Sequence, residues 1–153
     1  MNELDMPLNR PIVVIVDDDY EDVYPMRRAI LNCREGIVCD SVSSGEELFE
    51  YLNCTGRHQN RAFKHAPRVI LIDINMPRKN GFEVLKELRS DSDFGCISVI
   101  MFTTSDSEGD IRKAYKAGAN SYIRKPSNAN DLKDIAVKMC DYWINLPQVL
   151  SVV

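Results

Sequence analysis

Val69-Ile70-Leu71-Ile72-Asp73-Ile74-Asn75 is the stretch on which the fold turns. Four apolar residues in a row, three of them β-branched, leave no position for a solvated face. A run this short and without alternation suits a strand of a parallel sheet that is covered on both sides. The run stops on an acid, so whatever covers the strand ends where Asp73 begins. Reading outward, Ile12 to Val16, Ile97 to Phe102 and the briefer Ser121 to Ile123 have the same character, while Ile37 to Val42 is more mixed and reads as a sheet edge.

Segments of helical period separate these runs. Val23, Met26, Ala29, Ile30 and Cys33 share one helical face; Leu48, Tyr51 and Leu52 follow the capping stretch Ser43-Ser44-Gly45-Glu46-Glu47. Phe82, Leu85 and Leu88 follow Asn80-Gly81; Ile111, Ala114 and Tyr115 lead to a glycine stop at Gly118. Leu132, Ile135, Ala136, Met139, Tyr142 and Trp143 form a long last helix. Pro25 sits inside the first pattern, so that helix is expected to begin late or to kink near its start. Residues 53–66 form a polar insert, long for a helix-to-strand connection. The order is strand-helix five times over, which predicts a doubly wound α/β fold with right-handed crossovers.

Bulk properties bound the function. The 153 residues suffice for one domain with a sizeable core. At 44% hydrophobic, 27% charged and a net charge of −4, the chain offers no broadly basic surface for nucleic acid. No run approaches the roughly 20 apolar residues of a membrane span, and Met1 to Asp5 lacks the basic flank of a secretory signal. A cytoplasmic location is the expectation, with neither membrane nor nucleic acid as partner. Five scattered cysteines without a C-x-x-C pair read as free thiols. His58 and His65 read as loop residues.

In such a sheet, ligands bind beyond the carboxyl ends of the strands, where strand order reverses. The strand ends here are Asp17-Asp18-Asp19, Asp73-Ile74-Asn75, Thr103-Thr104 and Arg124-Lys125-Pro126. Taken singly, each has a bland reading as a helix cap, a loop start or a solvated charge. Together they would bring carboxylates, a hydroxyl and an ammonium to one pocket. Carboxylates so close repel by several kcal/mol, and Mg²⁺ with oxygen ligands would relieve that repulsion. One carboxylate could then attack phosphorus and form an acyl phosphate. Lys125 and the Thr103 hydroxyl would stabilise the added charge.

These motifs, with Asn80-Gly81-Phe82-Glu83, Met101-Phe102-Thr103-Thr104-Ser105 and Tyr122-Ile123-Arg124-Lys125-Pro126, resemble the response regulator receiver family over residues 10–145. Residues 1–9 and 146–153 are then terminal extensions. Among receivers the chain is similar to the single-domain cyanobacterial phytochrome-partner type, although Asp19 stands where that type often has Asn. The resemblance implies a flavodoxin-like three-layer sandwich, with a five-stranded parallel sheet in the order 2-1-3-4-5. It implies Asp73 as phosphoacceptor, and a Mg²⁺ site of Asp17, Asp18, Asp73 and the Asn75 backbone carbonyl. Thr103 and Lys125 would bind the phosphoryl group, Thr103 and Tyr122 would form the switch pair, and the Lys125–Pro126 bond would be cis.

The implied partners are a sensor histidine kinase or phosphotransfer protein and a downstream protein met through the helix 4, strand 5, helix 5 face, with a homodimer as a further output. Such a protein is a signalling phosphoacceptor rather than an enzyme, limited to self-phosphorylation and slow autodephosphorylation. Of the aromatics near that face, Tyr115, Tyr142 and Trp143, at least two are expected to pack into the core. A rival class is a small Mg²⁺-dependent, Asp-nucleophile phosphatase or phosphotransferase, whose Asp-x-Asp spacing Asp17 and Asp19 satisfy. The rest of its motif is absent, and a cap domain hardly fits this length. No phosphate loop follows strand one, which argues against a flavodoxin-like cofactor binder.

Overall fold

All five residues of β1 (Ile12–Val16) and all four of β3 (Val69–Ile72) are buried, and they pair in parallel with Val16 opposite Ile72. The structure is a computed structural model that describes residues 10–146. The remaining elements are α1 (Tyr20–Leu31), β2 (Val38–Val42), α2 (Gly45–Asn53), α3 (Gly81–Arg89), β4 (Ser98–Thr103), α4 (Glu108–Ala117), β5 (Ser121–Arg124) and α5 (Ala129–Met139). The sheet is parallel throughout in the order β2-β1-β3-β4-β5. The mixed run reads correctly as the edge. Of the expected extensions, residues 1–9 and 146–153, all but Leu146 lie outside the described residues.

Alternation along the strands builds two cores. Val14, Val16, Ile70, Ile72, Val99 and Met101 pack with Leu48, Leu52, Leu85, Leu88 and Ala114, so α2, α3 and α4 cover one face. Val13, Ile15, Val69, Leu71, Ile100 and Phe102 pack with Val23, Met26, Ile30, Ala136 and Met139, so α1 and α5 cover the other. Each fully buried Leu or Ile contributes about 1.5–3 kcal/mol. With neither face wet, the polar strand-end residues are the only places where the sheet can present chemistry.

Every helix start is fixed by a short polar side chain. Asp19, Ser44, Asn80, Ser107 and Asn128 each accept a backbone N–H from the first turn of the helix that follows. The Asp19 cap settles the α1 question. The helix begins at Tyr20 and carries Pro25 inside it, so the late start is not what occurs. The lost hydrogen bond concerns the carbonyl of Glu21, an exposed first-turn residue that water can serve. Gly118 ends α4 at φ 105°, as its position suggested.

The polar insert is folded rather than free. It contains a single 3-10 turn, Gly56–His58. The Arg61 guanidinium lies 4.1 Å over the Tyr51 ring and donates to the carbonyl of Phe63, while His58 Nε2 stands 3.1 Å from Glu47 Oε1. Two of its basic side chains are therefore spent on its own packing. After Met139 the chain continues in a π-helical turn, Cys140–Asn145. That turn is tied down by Arg68 Nη1 donating to the Ile144 carbonyl at 2.7 Å and Arg34 Nη1 to Asn145 Oδ1 at 3.0 Å. Of the three aromatics, only Trp143 packs against the core; Tyr115 and Tyr142 are exposed, contrary to expectation. Tyr115 falls one step round the helix from the buried Ala114, which removes it from the packed stripe.

All five cysteines are free thiols. Burial pushes Cys39 and Cys140 up to about 12, which leaves almost no thiolate at neutral pH. Iodoacetamide on the native protein should label exposed Cys96 first and leave Cys39 and Cys140 unmodified until denaturant is added. Early modification of Cys39 or Cys140, read by peptide mass spectrometry, would contradict the packing of α1 and α5 on the sheet.

Candidate functional site

The reversal of strand order falls between β1 and β3, and both strands end in aspartate. Asp17 N–H donates to the Val42 carbonyl and Asp73 N–H to the Val16 carbonyl, each at 3.0 Å, so the two acids leave the sheet side by side. Asp18 follows in the β1–α1 loop. Asp17, Asp18 and Asp73 each offer a carboxylate oxygen, and these oxygens lie within 4.8 Å of one another. Asp17 and Asp73 are almost wholly buried, whereas Asp18 is exposed and opens the cluster to solvent. Asn75, two residues past Asp73, is also exposed.

From the other side of the sheet, Lys125 N–H donates to the Thr103 carbonyl at 2.7 Å, which aligns the end of β5 with that of β4. The Lys125 side chain is 8% exposed, and its ammonium donates to Asp17 Oδ2 at 2.7 Å and Asp22 Oδ2 at 2.9 Å, with Asp73 Oδ2 at 3.5 Å. One cation thus serves three acids, and Asp18 adds a fourth. Burial alone would lower the lysine pKa, but hydrogen bonds to Asp17 and Asp22 and the charge of Asp73 outweigh it, so the net shift is upward. Burial also dominates at Asp17, raising its pKa despite the Lys125 hydrogen bond and the Asp19 N–H. One ammonium faces four carboxylates, so the formal charge of the pocket stays negative. A set of three oxygen donors with surplus negative charge fits a hard divalent cation.

Thr103 is fully buried at the end of β4, and its hydroxyl has no hydrogen-bond partner. An orphaned buried hydroxyl is uncommon and calls for a missing acceptor. Tyr122 lies half-buried against the α3–α4 core, and its hydroxyl donates to the Ser105 carbonyl at 2.8 Å. Burial raises its pKa, so it stays a donor. Ser105 is held in turn by its hydroxyl donating to Asp110 Oδ2 at 2.6 Å. The Tyr122 ring is therefore tied to the loop after β4.

One sequence expectation fails. No peptide bond among the described residues is cis, so Lys125–Pro126 is trans. The trans isomer is the one that an X-Pro bond intrinsically favours, by about 0.5–1 kcal/mol, and Lys125 makes all its contacts from it. One participant has no assigned role in the sequence reading. Asp22, on the first turn of α1, supplies the second carboxylate on Lys125. Its only signal in the sequence is its place three residues after the cap Asp19, where a side chain leans back toward the helix start.

The family model described as the response regulator receiver domain matches residues 13–137. Chemotaxis protein CheY1 of Helicobacter pylori is 34% identical over 125 residues, covering 80% of this chain and 90% of that protein. The crystal structure of the phosphorylated cyanobacterial phytochrome response regulator RcpA superposes with a TM-score of 0.82 at 30% identity, covering 91% and 97% of the two chains. The Mn²⁺-bound form of response regulator Rcp1 gives 0.79 at 26% identity, covering 92% and 99%; Rcp1 is a protein of Synechocystis.

Proposed function

The chain belongs to the response regulator receiver family, and on that premise we propose that Asp73 is its phosphoacceptor. The observation that carries this reading is the buried Thr103 hydroxyl without an acceptor, next to an acid triad that one ammonium leaves under-neutralised. The rival phosphatase reading gains nothing comparable. Asp19, which it would need as acid or base, is used as the α1 cap.

A divalent ion on Asp17, Asp18 and Asp73, with the Asn75 carbonyl completing the set, would supply positive charge for the incoming phosphoryl oxygens; Mg²⁺ is the ion proposed. In the transfer, an Asp73 carboxylate oxygen forms a bond to phosphorus while the bond to the donor breaks, its electron pair leaving with the donor. Lys125 stands beside the oxygen that reacts, and its third N–H is free to bond the new phosphoryl oxygen. The Thr103 hydroxyl donates to another. The added charge of about −2 therefore meets an ammonium already in the pocket and a hydroxyl that had no partner before.

The phosphodonor proposed is a phosphohistidine on a sensor kinase or phosphotransfer protein. The output proposed is a shift between arrangements of the α4, β5 and α5 face, where Tyr115 and Tyr142 stand exposed. Thr103 and Tyr122 are the switch pair proposed, with Tyr122 joined to the loop after β4 through the Ser105 carbonyl. Cytoplasmic action follows from such a partner, and no helix among the described residues is long and apolar enough to cross a membrane.

The test is incubation with acetyl phosphate and Mg²⁺. The protein should gain the mass of one phosphoryl group, and chelation of the metal should prevent it. Thr103→Val separates function from stability. Removing an unpaired buried hydroxyl in favour of a methyl should raise unfolding free energy by about 1 kcal/mol in urea titrations. The acyl phosphate should meanwhile be lost faster. A destabilised Thr103→Val protein would mean that the hydroxyl is bonded in solution and is not waiting for a phosphoryl oxygen.

A further inference from the structure

Asp22 is 42% exposed, lies outside the acid triad, and yet takes a hydrogen bond from the Lys125 ammonium at 2.9 Å, nearly as short as that to Asp17. We infer that Asp22 is a positioning residue: it gives the ammonium a carboxylate outside the triad to hold when a divalent ion takes Asp17 and Asp73. The inference rests on the reading of the triad as a cation site.

Lys125 is confined, at 8% exposure, with its backbone fixed to Thr103, so it cannot leave the pocket. Its ammonium must bond to whichever carboxylates surround it. Asp17 has one oxygen occupied by the Asp19 N–H at 3.0 Å and the other by Lys125. An arriving cation needs an oxygen of Asp17, and it repels an ammonium at the same carboxylate. Asp22 is the one acceptor of Lys125 that the cation does not use. With it, the ammonium has somewhere to stay; without it, the ammonium collapses onto Asp17 and Asp73, and every cation must displace it. The direct field of Asp22 on the triad is a lesser effect, since a half-exposed carboxylate is screened by solvent.

The position is set by the cap of α1. Asp19 accepts the Glu21 N–H, and the Asp22 N–H reaches the Asp19 carbonyl at 3.1 Å, which holds the first turn against the strand end. Asp22 is the third residue of this helix, where a carboxylate also meets the helix N-terminus favourably.

Mn²⁺ binding, followed by electron paramagnetic resonance of the free ion, tests the inference in the intact protein, with folding checked by circular dichroism. Asp22→Asn should weaken Mn²⁺ binding by about five- to tenfold. Asp22→Glu, which keeps a carboxylate within reach, should bind within about twofold of the parent. In a Lys125→Met background the Asp22→Asn change should cost less than about twofold, because no ammonium is left to be drawn aside. An equal loss in both backgrounds would overturn the inference and make Asp22 a through-space charge only. So would an Asp22→Asn protein of unchanged affinity, or an Asp22→Glu protein as weak as Asp22→Asn. If the parent binds no Mn²⁺, or if Asp18→Asn binds it as well as the parent, the triad itself is not the cation site and the underlying reading fails with it.

Discussion

Asp73→Asn protein mixed with acetyl phosphate and Mg²⁺ is expected to keep its unmodified mass while the parent gains one phosphoryl group. The substitution preserves shape, so the sheet end and the Asp73 N–H bond to Val16 should persist. What disappears is the anionic oxygen, since a carboxamide is too weak a nucleophile to open a phosphoryl donor. Two other acids, Asp17 and Asp18, share the pocket and could in principle take the group. Asp17 is the poorer nucleophile, with both oxygens already engaged, and Asp18 is exposed to water rather than facing Lys125. Mass gain that survives Asp73→Asn would move the acyl phosphate to one of these and refute the assignment.

Gly81→Ala is the second variant of large effect, and it acts on backbone rather than on a functional group. A Cβ at Gly81 would overlap the carbonyl oxygen of Asp73 and stand 2.9 Å from both the Asp73 carbonyl carbon and Ile74 Cα. None of these can rotate away as a side chain could. The Gly81 N–H also donates to the Ile74 carbonyl at 2.8 Å, which locks the start of α3 against the acceptor loop. The methyl group must push that loop outward. A loss of about 1–3 kcal/mol in unfolding free energy is expected. Displacing Asp73 by even an ångström should slow phosphoryl acceptance by about a hundredfold. Denaturant titration and initial rates with acetyl phosphate measure the two separately. Parent-like values in both would show that α3 does not press on Asp73 in solution.

The strands were legible because burial on both faces leaves an uninterrupted apolar run, and Val69 to Ile72 is such a run. Their ends were legible for the complementary reason: Asp17, Asp73 and Lys125 are the first residues that the covering helices cannot bury cheaply. Four features were not legible. The start of α1 was obscured by Pro25, whose lost hydrogen bond falls on the exposed Glu21, where water can replace it. Asp22 looked like an ordinary acid of a first helical turn, because nothing in its neighbours reveals that Lys125, about a hundred residues later, would lie against it. The insert read as a polar loop, since the stacking of Arg61 on Tyr51 depends on a fold-back that composition does not encode. The trans Lys125–Pro126 bond departs from what the family resemblance implied, and no residue pattern distinguishes the two isomers.

The knot of Arg34 and Arg68 on the π-helical turn has a practical corollary. Arg68 immediately precedes β3, and Asp73 immediately follows it, so the four residues of β3, five steps of extended chain or roughly 17 Å, separate that anchorage from the reacting carboxylate. A fluorophore or immobilising handle placed on exposed Asp141, within that turn, would sit at the end of the sheet away from the acids. Surface-tethered protein should then exchange ions and phosphodonors as freely as protein in solution.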